Sequence, residues 1–288
     1  MSTIASPFSS SFRHRPWTRG LVHAALVLVC LGFVFPTLWM LSTSLKSIDQ
    51  TMAYPPELVP TSFQFRNYVE TVRYIPFFTY TKNTLIVSVL ATAGTTLSSA
   101  AVAYSFARLE WPGRDVLFGL TLATMMIPFP VLMVPLYALF RSLGWIGTLS
   151  PLWVPCLFGS AFSIFLLRQF FLRIPKSLPE AMALDGASEL QIFLRIYLPL
   201  SKAALAVTAF FQFIYAWNDF LGPLLFLTDQ PTFTLSLGLQ FYQSHFSGTQ
   251  WHYLMAASLL TTLPILILFF FVQRAFLSGL SFMKHVDT

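Results

Sequence analysis

The stretch that decides the fold class runs from residue 253 to residue 273 and reads YLMAASLLTTLPILILFFFVQ. It contains no charged side chain, and a helix needs about 20 apolar residues to cross the hydrocarbon core of a bilayer. Five further stretches have a similar character and length, near 21–43, 84–107, 116–140, 151–172 and 203–227. The sequence therefore predicts an all-α polytopic membrane protein with six transmembrane helices.

The composition supports this class. Hydrophobic residues make up 56% of the chain and charged residues 10%, with a mean hydropathy of +0.68, whereas soluble domains carry about 25% charged residues. The net charge of +6 comes from basic residues beside the apolar stretches rather than from Lys/Arg runs, so no nucleic acid is expected as a partner. Cys30 and Cys156 fall inside apolar stretches and are predicted to be small buried hydrophobic residues.

The first apolar stretch has two interpretations. Arg13, Arg15 and Arg19 precede it, as basic residues precede the apolar region of a secretory signal peptide. Its apolar run is longer than the roughly 7–15 residues of such a region. This length favours a retained first transmembrane helix.

The Lys and Arg residues predict the orientation. With a cytoplasmic N-terminus, 12 of them fall on the inside and 5 on the outside, as the positive-inside rule requires. Both termini are then cytoplasmic. Residues 1–20 form the cytoplasmic N-terminus and 21–288 a single transmembrane domain, which includes an outer segment over 45–82 and one large cytoplasmic loop over 173–202.

This cytoplasmic loop has a strong local pattern. Ser177 to Glu180 and Ser188 to Gln191 each fit a capping box, in which Ser caps a helix and an acidic or amide residue follows three positions later. Gly186 lies between them, and Pro199 marks where the next helix starts or kinks. The pattern predicts two short helices that meet at a glycine.

The same residues resemble the EAA motif of ABC importer permeases, which runs Glu-Ala-Ala, three residues, Gly, nine residues, Ile, one residue, Leu-Pro. Met182 replaces the third Ala, and the tail over 279–284 departs from the ending common in the carbohydrate branch. Other segments are similar to that branch, in particular to the second permease subunit of maltose-type importers. The matching positions are Glu180, Ala181, Gly186, Ile196, Leu198 and Pro199 in the loop, with 104–109, 112–114, 83–85, 217–220 and 273–274 elsewhere.

The resemblance implies a type I ABC importer permease fold in a bacterial cytoplasmic (inner) membrane, together with a set of partners. A second permease subunit, two copies of an ATP-binding-cassette ATPase and an extracytoplasmic solute-binding protein are expected, with a sugar or sugar-like solute and the lipid bilayer. No cofactor is expected in this chain, because the ATPase subunits bind ATP and Mg. The expected coupling residues, which would dock on the ATPase, are Glu180, Ala181, Asp185, Gly186 and Ala187. An alternative for Glu180 is that it only closes the capping box.

The predicted solute pathway lies in the fifth span. An acidic side chain at the centre of a membrane helix costs about 2.5–3.5 kcal/mol, so Asp219 should face protein or water. Pro223 removes the hydrogen bond to the Asp219 carbonyl, which predicts a polar break of the kind found at transport sites. Trp217, Asn218 and Asp219 are the candidate pathway residues, with Tyr215 as a further aromatic face. The alternative is that these polar groups only hold neighbouring helices together.

Two other functions remain possible from the residues. An independent secondary transporter would need several intramembrane charges and an internal repeat. An intramembrane enzyme would need a catalytic constellation such as H-E-x-x-H, which the chain lacks. The chain also lacks the G-x-x-x-x-G-K-[ST] phosphate loop, so it is not expected to bind ATP or to be an enzyme.

Overall fold

A computed structural model describes the backbone of residues 16–243 and 248–285, and the side chains of 20–243 and 248–273. Most of the predicted N-terminal segment, 1–20, lies outside these residues. Short 3₁₀ segments cover Thr124–Met126, Val154–Phe158, Gln230–Thr232 and Leu239–Tyr242, and a π-helical segment covers Phe193–Tyr197. The α-helices are α1 Pro16–Ser44, α2 Ile48–Thr51, α3 Arg66–Tyr74, α4 Phe77–Arg108, α5 Arg114–Ala123, α6 Phe129–Ser142, α7 Ser150–Trp153, α8 Ala161–Phe171, α9 Ser177–Leu184, α10 Glu189–Ile192, α11 Leu198–Leu200, α12 Lys202–Asn218, α13 Leu221–Phe226, α14 Leu235–Gly238 and α15 Trp251–His285.

The described residues are helical with no strand, and the all-α class is confirmed. Four segments are long and apolar enough to span a membrane, namely Gly20–Ser44, Phe77–Arg108, Ser150–Phe171 and Trp251–Gln273. Two bent pairs, Arg114–Met126 with Phe129–Ser142 and Glu189–Leu200 with Lys202–Asn218, raise the total to six when each counts as one span. This total agrees with the six predicted helices.

Several predicted boundaries differ from the structure. The second span begins at Phe77, directly after Pro76, rather than near 84. Thr79, Thr81, Lys82 and Asn83 make its first two turns partly polar, so hydropathy alone does not mark them. The third predicted span bends by 100° between its two halves, where Pro128 and Pro130 cannot donate backbone hydrogen bonds. The fifth, predicted as 203–227, is divided into α12 and α13.

The centre of the bundle is α4, which packs against α8 and α12. Ala91, Thr95, Ser99 and Ala103 follow one another at four-residue spacing and are at most 1% exposed. Small residues on one face let neighbouring helices approach closely. A Cβ built on Gly94 would meet Leu157 Cδ2 at 2.9 Å, so this position also requires a minimal side chain.

Two buried clusters stabilise the ends of the bundle. One contains Tyr104, Phe171 and Tyr197 and lies beside the loop over 173–202. The other contains Tyr80, Trp217 and Tyr242 and lies beside α3, α14 and the start of α15. The first cluster thus attaches the loop to one end of the spans, and the second attaches the predicted outer segment to the other end.

Candidate coupling loop and translocation face

The first loop helix ends in a tight turn at Gly186. The Gly186 N–H donates to the Ala183 carbonyl at 3.0 Å, and the Ala187 N–H donates to the Met182 carbonyl at 3.2 Å. These two bonds form a Schellman motif, which places the residue after the helix in the left-handed region. Gly186 has φ +83°, so the sequence-based prediction of a glycine turn between two helices is confirmed.

Only one of the two predicted capping boxes forms. The Ser188 hydroxyl accepts from the Gln191 N–H at 3.4 Å, while the Gln191 side chain accepts from the Ser188 N–H at 2.9 Å. The first box is absent, because α9 begins one residue earlier than predicted and Ser177 lies inside it. The Glu180 backbone N–H therefore donates to the Lys176 carbonyl at 3.1 Å, and the side chain of Glu180 does not cap the helix.

The predicted coupling residues divide into an exposed group and an anchor. Glu180, Ala181, Asp185 and Gly186 are exposed, and Leu184 beside them is 90% exposed. Leu178 and Leu190 of the same loop are 46% and 65% exposed, and several exposed apolar residues in one region are more informative than a single one, because exposed apolar patches mark interaction sites. Ala187, in contrast, is half-buried and packs on the cluster around Tyr197.

The loop is fastened to α4 by polar contacts. The Tyr104 hydroxyl donates to Glu189 Oε2 at 2.5 Å. Arg108, one turn further along α4, donates to the carbonyl of Phe171, the last residue of α8, at 2.8 Å and to the carbonyl of Ile174 beyond it. A cation is favourable at a helix C-terminus, where the carbonyls lack partners. Our sequence analysis placed Tyr104 and Arg108 in a motif but did not assign them this role.

The second loop helix continues directly towards the fifth span. After α10 the chain forms the π-helical segment Phe193–Tyr197, in which the Leu198 N–H donates to the Phe193 carbonyl. π-helical turns occur often at functional sites. The helix bends by 78° between Leu200 and Lys202, just after Pro199, as the sequence predicts.

The other end of α12 carries the predicted polar break. The helix stops at Asn218, and Asp219 has an extended backbone. Asp219 Oδ1 accepts from the Gly222 N–H at 3.1 Å, which caps the start of α13. The Asp219 carbonyl, which Pro223 leaves without a helical donor, accepts instead from the Ser236 hydroxyl. Asn218 is exposed and donates to the Ile214 carbonyl at 2.8 Å.

Trp217 does not lie with the other two candidate pathway residues. It is 4% exposed, its indole N–H donates to the Thr261 carbonyl at 3.1 Å, and its ring stacks on Phe213 at 5.4 Å. The side chain thus packs α12 against α15 and is turned away from the exposed Asn218. The prediction that Trp217 offers its face to a solute does not match this placement.

A cavity of about 680 Å³ lies beside α12, between α4, α6 and α8. Gln212 and Tyr215 reach it from α12, and the Gln212 amide contacts the Cys156 sulfur at 3.8 Å. Cys156, which we predicted to be buried, is half-buried at the cavity wall. Gln212 was missed because a single amide in an apolar stretch carries no specific sequence signal. Among the described residues no group of His, Cys, Asp and Glu could hold a metal ion.

The described residues combine four apolar spans, or six when each bent pair counts as one, with an exposed helical turn and a polar break inside one span. The molecule is a multi-pass membrane protein.

A family model described as binding-protein-dependent transport system inner membrane component matches residues 94–281. The diacetylchitobiose uptake system permease protein DasC of Streptomyces coelicolor is 34% identical over 257 residues, covering 88% of this chain and 92% of DasC. The trehalose/maltose transport system permease protein MalG of Thermococcus litoralis is 34% identical over 266 residues, covering 91% of this chain and 95% of MalG.

A crystal structure of a bacterial ABC transporter involved in the import of the acidic polysaccharide alginate contains a chain with the same fold. The TM-score is 0.79 at 24% identity, with 91% of this chain and 98% of that chain covered. The chain belongs to the family of binding-protein-dependent transport system inner membrane components. It is a permease subunit of an ABC importer rather than an enzyme, and such permeases work with other permease, ATPase and binding-protein subunits.

Proposed function

We propose that this chain forms, with a second permease subunit, the membrane pathway for a sugar or sugar-like solute. An extracytoplasmic binding protein delivers the solute, and two copies of the ATPase, which bind ATP and Mg, drive the transport. The observation that carries the proposal is the exposed turn at Gly186, with Leu184 beside it 90% exposed. In the proposed assembly Glu180, Ala181, Asp185 and Gly186 contact the ATPase, and Ala187 anchors the turn.

Two attachments connect this turn to the membrane helices and can transmit its movement to them. The Tyr104–Glu189 hydrogen bond links the loop to α4, and the chain from Glu189 to Leu200 links it to α12. Hydrogen-bonded and packed elements transmit displacement only when they move as bodies between discrete arrangements. We therefore propose that closing of the ATPase subunits swings α12 about the bend at Ser201.

The solute class is supported by the exposed face of α12 and by the relatives. Tyr215 is 65% exposed, Asn218 is exposed, and Gln212 lines the neighbouring cavity. An aromatic face with amide groups suits the C–H and hydroxyl surfaces of a saccharide. The names of two relatives, for diacetylchitobiose uptake and for trehalose/maltose transport, also refer to saccharides.

The proposed orientation places both termini in the cytoplasm of a bacterial cell, with the loop over 173–202 on the cytoplasmic face and residues 45–82 on the outer face. The asymmetry of Lys and Arg supports it. We also propose that residues 21–288 act as one transmembrane domain.

The experiment is solute uptake by the reconstituted importer with Asn218→Ala and Asp219→Asn variants. Uptake of the cognate sugar should fall, while assembly and basal ATP hydrolysis remain, because Asn218 is exposed and Asp219→Asn keeps an acceptor for the Gly222 N–H. Asp229→Asn, an exposed acidic residue beyond the break, serves as the control. Normal uptake in both test variants would rule out this pathway, and loss of assembly would favour a packing role.

A further inference from the structure

A second cavity, of about 250 Å³, is separate from the cavity beside α12. It is enclosed by the end of α1, the segment that follows it and the first turns of α15. None of its lining residues belongs to α4, α8 or α12, which form the larger cavity. The lining residues that matter below are Trp39, Thr43, Lys46, Gln50, Glu57 and Trp251.

Lys46 is a buried cation without an ionic partner. It is 2% exposed, and its ammonium group donates to the Glu57 carbonyl oxygen and lies 4.9 Å from the centre of the Trp39 ring. In the part of the chain that the structure describes, no carboxylate forms an ion pair with it. Burial lowers the pKa of Lys46, and the charge of Glu57 opposes that shift only in part. Buried charges are normally paired. The Glu57 carboxylate lies near enough to act on the charge of Lys46 but is held by Gln50, so the ammonium group has no anion in direct contact.

Two buried oxygens at the same cavity also lack partners among the described residues. Thr43 is 7% exposed and its hydroxyl has no hydrogen bond. Gln50 donates its amide to Glu57 Oε2 at 2.5 Å and to the Val59 carbonyl at 3.3 Å, but its own oxygen accepts nothing. Buried polar atoms are almost always paired, and an occupant that both accepts and donates hydrogen bonds would satisfy these two.

The cavity lies at the depth where lipid headgroups are expected. Trp39 lies near the end of α1, whose preceding residues from 20 to 38 are exposed and, apart from His23, carry apolar or small side chains. Trp251 is the first residue of α15, the span that packs along α1. Tryptophans at the ends of spans mark the headgroup level of a bilayer. An occupant can therefore enter from the lipid at this depth.

We propose that the cavity is a binding site for one phospholipid headgroup that carries hydrogen-bond donors. The phosphate accepts from the Lys46 ammonium and the Thr43 hydroxyl, and the terminal ammonium or hydroxyl group donates to Gln50 Oε1 beside the Glu57 carboxylate. The acyl chains then lie along the exposed apolar surface of α1. This occupant places a phosphate in direct contact with the Lys46 ammonium and satisfies both unpaired oxygens, while the tryptophan rings flank the glycerol region.

The test is native mass spectrometry of the full-length chain in detergent, with whichever subunits co-purify. Delipidated protein is titrated with short-chain phosphatidylethanolamine, phosphatidylglycerol and phosphatidylcholine. The first two should bind as one tight equivalent, and phosphatidylcholine more weakly, because its quaternary ammonium cannot donate to Gln50. A charge-assisted hydrogen bond contributes about 1.5–3 kcal/mol, so Lys46→Gln should weaken binding by about tenfold or more.

Three further variants separate the site from general effects. Lys46→Arg should retain most of the affinity, and Thr43→Val, of similar shape, should lose part of it even if Lys46→Gln does not assemble. Lys82→Gln removes an exposed lysine near the start of α4 and should change nothing. Equal effects of Lys46→Gln and Lys82→Gln would overturn the proposal.

Two competitors distinguish other occupants. Inorganic phosphate should displace the phospholipid only at far higher concentration, because it lacks the acyl chains and the donor group. If it binds as tightly, the site serves a free anion and the lipid assignment is wrong. If a neutral disaccharide displaces phosphatidylethanolamine, the site binds a solute and the lipid assignment is likewise wrong. If no phospholipid binds, the proposed site is refuted. None of these results depends on the proposed transport function.

Discussion

Substitution of Gly186 tests whether the exposed turn is the coupling element. The residue has φ +83°, and a Cβ built on it meets no atom within 4 Å. The cost of a side chain in the free subunit is therefore backbone strain alone, about 1–2 kcal/mol for an L-residue in the left-handed region. A cost of this size shifts an equilibrium by a factor of roughly 5–30.

The series Gly186→Asn, Gly186→Ala and Gly186→Leu separates strain from bulk. Asn tolerates the left-handed region, so it should perturb the turn least. Ala and Leu carry the same backbone strain, and any additional loss in the leucine variant reports a partner surface that fits closely against the glycine. The bundle should fold and insert in all three, because a Cβ at position 186 meets no atom within 4 Å.

The assay measures ATPase co-purification and solute uptake in proteoliposomes for each variant. We expect both to fall in the order Asn, Ala, Leu, with the leucine variant close to inactive in uptake. Gly144→Leu is the matched control, because Gly144 has φ +69°, equally open space and a position between α6 and α7, on the opposite predicted face. Normal uptake in Gly186→Leu, or equal losses in Gly144→Leu, would refute the coupling role.

Three further predictions concern the attachments of the loop, the role of a tryptophan and the orientation. Tyr104→Phe removes the hydroxyl that donates to Glu189. It should lower the free energy of unfolding by about 0.5–1.5 kcal/mol and raise the number of ATP molecules hydrolysed per solute imported. An unchanged ratio would show that the hydrogen bond has only a local structural role. Trp217→Phe removes the donor to the Thr261 carbonyl; thermal stability should fall while uptake per folded molecule stays the same, and a selective loss of uptake would restore Trp217 to the pathway. A cysteine at Ser188 should react with impermeant reagents only in inverted vesicles and one at Thr61 only from outside, and the reverse pattern would invert the topology.

The sequence predicted best the features that depend on neighbours within a few residues. The turn at Gly186 and the capping box of Ser188 and Gln191 form from bonds that span three to five residues, so their patterns are visible in one short segment. Apolar length likewise predicted the number of spans, because the bilayer sets it.

The failures of prediction depend on tertiary contacts or on small shifts of a helix end. The capping box at Ser177 did not form, since the helix starts one residue earlier. The direction of Trp217 is decided by α15, which lies more than thirty residues further along the chain. Tyr104 and Glu189 are 85 residues apart, and no local pattern connects them. The start of α4 was placed too late because hydropathy marks the apolar part of a helix and not its polar first turns.

The geometry of α12 explains how a loop movement could act on the solute pathway. The helix runs without interruption from Lys202 to Asn218 and has a bend or break at each end, at Ser201 and at Asp219. A rigid rod between two flexible points transfers displacement from one end to the other instead of absorbing it along its length. Trp217 fixes the far end of the rod to α15. In the proposed mechanism, a shift of the loop turns α12 about this attachment and acts on the polar break, where the Asp219 carbonyl and carboxylate accept hydrogen bonds from Ser236 and Gly222.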